Sequence, residues 1–248
     1  MLRRRVIAVL TFNDGVLFRT KLFQPDYRYT ANFVDTWSID ELVILDVTRD
    51  GGGNRRAFFE TVEKFASGCF VPISVGGGIR KFSDVRDYLS AGADKVVVNS
   101  GAIENPSLIE DISFSYGAQC VVLSMDVGRH EDGRYEVYSH FATRPTGMDP
   151  LAWAKRGEAL GVGEILLTSV EKDGWLQGYD LQLCRAVADK VAVPVLILGG
   201  AGNWQHLIDG VEIGGASGVC TQNIYHFTEN SIHSAKRAMA DAGIDVRL

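Results

Sequence analysis

The decapeptide LVILDVTRDG, Leu42 to Gly51, is answered later in the chain by ILLTSVEKDG, Ile165 to Gly174. The same echo links VPISVGGGI (Val71 to Ile79) with VPVLILGGAG (Val193 to Gly202), and SAGADKVVVNS with EIGGASGVCTQN. Positions 51 and 174, 76 and 199, and 92 and 215 each stand 123 apart in a chain of 248 residues. The chain is therefore a duplication, with halves of about 1–123 and 124–248. Solenoids and propellers repeat every 20–50 residues or so. A repeat this long must hold several structural units in each copy.

Those units are short apolar runs separated by longer amphipathic stretches. The strand candidates are VIAVL (6–10), LVILDV (42–47), PISV (72–75), KVVVNS (95–100), CVVLSMD (120–126), EILLTS (164–169), PVLILG (194–199) and GVCTQN (218–223). They are continuously apolar rather than alternating, as strands covered on both faces are. Helical patterns lie between them, such as NRRAFFETVEKFASG (54–68) and FSDVRDYLSAG (82–92). The second is read as opening on a Ser cap and closing on Gly. Eight β-α units, four per half, predict a (β/α)8 TIM barrel with a twofold half-barrel repeat, a single domain over 1–248. A doubly wound open sheet is the competitor, and it does not explain a four-plus-four repeat. The longest interruption, 127–147, contains EDGRYEVYS, which reads as a small β-hairpin on the barrel mouth.

Composition narrows the function. The chain is 46% hydrophobic and 23% charged, with a net charge of −6, which argues against a nucleic-acid surface. No apolar stretch approaches the roughly 18 residues of a membrane span, and no secretory signal is evident. Cys69, Cys120, Cys184 and Cys220 are scattered without metal-type spacing, and no H-x-x-x-H pair occurs. The expectation is a cytoplasmic protein with reduced thiols, no metal and no cofactor.

In such barrels chemistry sits at the C-terminal ends of the strands. Glycine runs follow strands three and seven, with Gly77 and Gly78 in one and Gly199 and Gly200 in the other. Either run alone is as well explained by a tight turn as by an anion site. Their matching positions favour paired anion sites, completed by Asn99-Ser100 and Gln222-Asn223. Asp126 ends the fifth strand run and is the candidate general acid/base. Asp46 and Asp173-Gly174 are weaker, since turns also use them. At the place corresponding to Asp126, the first half carries Thr11. At the opposite end, four strands are entered through Arg5, Glu41, Lys95 and Glu164. By composition these are ordinary strand-edge charges; a mutually neutralising ring on the barrel floor is the alternative.

With these stretches in place, the chain resembles, end to end, the cyclase subunit of imidazole glycerol phosphate synthase. DELVILD, VGGGI, GADKVVVN, GEILLTS and GGAG are the most specific segments. The related phosphoribosyl isomerase shares the duplication but is less similar. The resemblance implies a lyase-type barrel that receives ammonia from a glutaminase subunit docked on its floor. It makes Arg5, Glu41, Lys95 and Glu164 the ammonia gate and Asp126 one of two catalytic aspartates. The other is replaced by Thr11. Arg19 stands where a loop lysine is usual, Gln222-Asn223 replace small residues beside a phosphate, and HFATRP replaces a glycine-containing segment. A kept floor and a rebuilt mouth resemble the divergent branch tied to surface-polysaccharide (lipopolysaccharide) biosynthesis. That branch implies ammonia delivery for amidination of a sugar, with a sugar-amidating synthetase as a further partner and a phosphorylated or sugar substrate. True imidazole glycerol phosphate synthesis and a non-catalytic ammonia conduit remain as alternatives.

Overall fold

The computed structural model describes residues 3–29, 38–49, 55–222 and 231–248. Eight parallel strands close on one another: β1 (Arg5–Asn13), β4 (Glu41–Asp46), β5 (Ile73–Gly76), β6 (Lys95–Val98), β7 (Val121–Arg129), β10 (Glu164–Ser169), β11 (Val195–Leu198) and β12 (Gly218–Thr221). Each pairs with the next, and β12 returns to β1. The result is the (β/α)8 barrel that the repeat implied. Each of the eight expected runs overlaps its strand, because a strand buried on both faces leaves few polar positions to blur the signal.

Register makes the duplication literal. Thr11 lies opposite Leu45, and Asp126 lies opposite Thr168. Since 45 and 168 are 123 apart, Thr11 occupies the structural position of Asp126. Strands one and five both overrun the barrel and fold back as hairpins. β1 pairs with β2 (Val16–Lys21), which pairs with β3 (Gln24–Tyr29); β7 pairs with β8 (Tyr135–Ser139), which pairs with β9 (Arg144–Pro145). The second hairpin matches the expected one, except that strand five itself supplies its first arm. Asp126 is accordingly mid-strand rather than terminal.

Two apolar layers hold the barrel. Side chains facing outward from the strands pack under the helices, including α1 (Arg55–Gly68) and α2 (Phe82–Ser90). A smaller inner layer, with Ile7, Val9, Val43, Val97, Val122, Leu166, Leu196, Leu198 and Cys220, fills the lumen between floor and mouth. The α2 cap differs from expectation. Phe82 already begins the helix, with Lys81 at the cap position, so Ser83 is inside it. Asp84 takes over the capping role, its Oδ2 accepting from the Arg80 and Lys81 amides at 2.9 and 3.1 Å. The helix does close on glycine, with Gly92 at φ 101°.

Candidate functional site at the barrel mouth

At the mouth, a cavity of about 170 Å³ is walled by residues from both halves, among them Thr11, Asp46, Gly77, Gly78, Asn99, Ser100, Asp126, Asp173 and Gln222. Asp126 is buried and accepts from Asn99 Nδ2 at 2.9 Å. Burial, reinforced by the Asp173 charge, pushes its pKa up to about 7 against the pull of the Asn99 and Ser124 hydrogen bonds. A carboxyl poised there can both take and give a proton near neutral pH. It lies within a strand and caps no loop. Asn99 Oδ1, on the far side of the same amide, is buried without a hydrogen-bond partner.

Thr11 offers no replacement carboxylate. It is buried, and its hydroxyl donates to the Phe18 carbonyl on β2, so it fastens the first hairpin to strand one. Asp173 is the other buried acid among the described residues of the mouth. Its Oδ1 accepts from Thr20 Oγ1 at 3.0 Å and its Oδ2 from the Phe23 amide at 2.9 Å. Burial raises its pKa, and these two bonds work the other way. Asp173 thus pins the β2–β3 hairpin across the mouth. Gly174 completes that contact: a Cβ there would stand 2.5 Å from Lys21 Cα.

The two glycine runs share a packing role. A Cβ on Gly77 would meet the Asp46 carbonyl at 2.3 Å, and one on Gly200 would meet the Gly178 carbonyl at 2.2 Å. Their surroundings then diverge. Gly77, Gly78, Asn99 and Ser100 open into the main cavity, and Ser100 Oγ accepts from the His140 amide at 2.9 Å. Gly174, Gly199, Gly200 and Gln222 surround only about 10 Å³, room for about one water. Gln222 lines that space, and its Oε1 accepts from the Thr20 amide at 3.2 Å. Arg19 sits half-buried on β2 beside a bulge and is not among the cavity walls; Thr20 is. Asn223 lies outside the described residues.

Arg5, Glu41, Lys95 and Glu164 form a closed ring of alternating charge on the floor. Arg5 Nη1 reaches Glu41 and Glu164 at 2.8 and 2.7 Å, and Lys95 Nζ reaches the same two carboxylates at 2.9 and 2.7 Å. Burial works against the Arg5 charge, but Glu164 and Glu41 outweigh it and its pKa rises. Ser74 adds a bond to Glu41 at 2.8 Å. Sequence reasoning passed over it, although a serine inside an apolar strand was the signal. Gly218, the repeat counterpart of Lys95, leaves its own slot on the floor without a side chain.

Phe23, His140 and Phe141 also line the cavity, and nothing in their spacing announced the latter two. His140 Nε2 lies 3.2 Å from Glu104. Among the described residues, no group of three or more His, Cys, Asp or Glu is arranged to hold a metal ion, and no helix is long and apolar enough to cross a membrane.

Compared with known families, residues 7–231 match the histidine biosynthesis protein family, a span that takes in the whole mouth and all of the floor ring except Arg5. The chain belongs to that family.

Proposed function

We propose that this member of the histidine-biosynthesis barrels is the ammonia-accepting subunit of a glutamine amidotransferase system, delivering glutamine-derived ammonia for amidination of a sugar. A glutaminase docks on the floor, and the ring of Arg5, Glu41, Lys95 and Glu164 is the entrance. The lumen above it is apolar, which favours neutral ammonia over ammonium. Phe70 and Phe114 are 81% and 95% exposed. Phe70 lies between α1 and β5 and Phe114 in the last turn of the helix Ser107–Tyr116, as anchors for a partner at the floor would.

The observation that carries this reading is the small second glycine pocket, about 10 Å³, with Gln222 in its wall. A bisphosphate precursor needs two anion subsites, and among the described residues only the Gly77-Gly78 turn opens into the main cavity. The missing carboxylate at Thr11 agrees, because ring closure with two acid/base groups has only Asp126 at the paired positions. A sugar amide instead needs activation of its oxygen by a synthetase and one proton acceptor for the incoming ammonia.

The test is turnover of the histidine-pathway bisphosphate precursor by the purified chain with added ammonia. The expected result is none above background. Appreciable cyclase activity, abolished by Asp126→Asn, would return the chain to imidazole glycerol phosphate synthesis. With the glutaminase present, Lys95→Glu should uncouple glutamine hydrolysis from product formation while free ammonia still supports the reaction.

A further inference from the structure

Two hairpin tips line the cavity, and one side chain touches both. Phe23 and Phe141 reach the mouth from the first and second hairpins, each on left-handed backbone, at φ of 60° and 58°. Leu22 shares that conformation in the first tip, and His140 and Ala142 share it in the second. Side chains of these types avoid it, so each tip is a strained turn that its contacts must hold in place.

From below, the two tips are held by separate partners. Asp173 Oδ2 accepts from the Phe23 amide at 2.9 Å, and the Asp173 carbonyl accepts from the Leu22 amide at 3.1 Å. In the second tip the His140 amide donates to Ser100 Oγ at 2.9 Å. None of these bonds joins one hairpin to the other. Arg49, just beyond β4, does. Its Nη2 donates to the Phe23 carbonyl at 2.6 Å. With the Gln24 amide oxygen turned to face the guanidinium, both Nη atoms also donate there at 3.0 Å. On its other side, the guanidinium carbon stands 5.9 Å from the Phe141 ring centre.

The two attachments differ in strength. Charge-assisted hydrogen bonds hold Arg49 to the first hairpin, whereas the contact with Phe141 is a cation–π approach near the limit of its range. Arg49 therefore moves with the first hairpin, and the seam that parts is the one against Phe141.

We propose that Arg49 is a latch across the mouth: its contact with Phe141 holds the two hairpins together over the cavity, and breaking that contact opens the cavity to solvent. The strained turn of residues 140–142 aims Phe141 at the guanidinium. A closed latch keeps bulk water from Asp126, and a weak seam lets a ligand enter without unfolding either hairpin. The latch serves this mouth whatever its substrate, so it stands apart from the amidination reading.

Two measurements on the full chain test it. A thiol introduced by Ser124→Cys, in the cavity wall, reports access through alkylation by iodoacetamide, with peptide mapping to separate it from Cys69, Cys120, Cys184 and Cys220. Amide hydrogen exchange at Phe23 and His140 reports each tip. Loss of one such cation–π contact corresponds to roughly fivefold in an opening equilibrium. Phe141→Leu should therefore speed alkylation about fivefold, and Arg49→Gln at least as much. Exchange should quicken at both tips in Arg49→Gln, and more at His140 than at Phe23 in Phe141→Leu, where the bonds of Arg49 to the first hairpin persist. Because both side chains act through one contact, the double variant should alkylate no faster than Arg49→Gln alone. Phe141→Tyr keeps the ring and should keep the wild-type rate, which separates a lost contact from a disturbed turn. Unchanged alkylation in either single variant, additive effects in the double variant, faster exchange at Phe23 alone in Arg49→Gln, or a Phe141→Tyr rate equal to that of Phe141→Leu overturns the proposal.

Discussion

Replacing Asp126 with asparagine should stabilise the protein, and increasingly so as pH rises. In the unfolded chain this carboxyl titrates near 3.8, whereas in the fold burial and the Asp173 charge hold it near 7. Between those values the unfolded state has released a proton that the folded state still binds, so stability falls as pH increases. The penalty is absent below about pH 4, grows through the window from 4 to 7, and is complete above 7. At about 1.36 kcal/mol per unit, the full penalty is a little over about 4 kcal/mol. Desolvating an amide offsets part of the gain, so Asp126→Asn should recover about 1–3 kcal/mol at pH 8.

The decisive quantity is the pH dependence of that gain. From pH 5 to pH 8 the advantage of the variant should widen by about 2–3 kcal/mol, or roughly 4–12 °C in thermal midpoint for a chain of this size. Urea unfolding of wild type and variant at both pH values measures it, with activity lost at every pH. A constant difference across the range would mean that Asp126 is not desolvated in the fold. Destabilisation at pH 8 would mean that its bond to Asn99 outweighs its burial. Either outcome would remove the basis for treating Asp126 as a carboxyl held at its position for chemistry rather than stability.

Other outcomes follow from the same contacts. Glu41→Gln leaves Arg5 and Lys95 facing a single carboxylate, and should cost about 3–5 kcal/mol in urea unfolding. Gly200→Ala forces a methyl to 2.2 Å from the Gly178 carbonyl and should cost more than about 3 kcal/mol, whereas Gly15→Ala, with open space around it, should cost about 1 kcal/mol. Gln222→Ala empties the second glycine pocket, so sulfate or phosphate binding should gain a second site by calorimetry. Its absence would show that the hairpin, rather than Gln222, closes that pocket.

The fold was legible because barrel strands carry their signal in continuous apolar runs, and because a repeat tests each reading twice. The floor ring was legible as residues but not as geometry. Composition favoured four separate solvated charges, and only closure of the barrel brings strands one, two, four and six to bonding distance. The first hairpin was missed although its turn was written in the chain. Asp14-Gly15 follows an apolar run, as Asp132-Gly133 follows strand five, and both glycines have positive φ. The turn at His140, Phe141 and Ala142 had no such signature. Left-handed backbone is normally marked by glycine or asparagine, and neither stands in this turn to give warning.

That last failure bears on how the mouth works. Sequence rules break where a fold spends stability on something other than folding, and here the breaks converge on one cavity. Asp126 is buried with its pKa raised, Asn99 keeps an acceptor without a partner, and two phenylalanine tips sit on left-handed backbone. The floor shows the opposite character, with every charge paired twice. In a duplicated barrel both ends began from the same half, so strain confined to one end marks where the chain departed from its repeat. Asp126 stands against Thr11, and the open Gly77-Gly78 pocket stands against a far smaller one walled by Gln222.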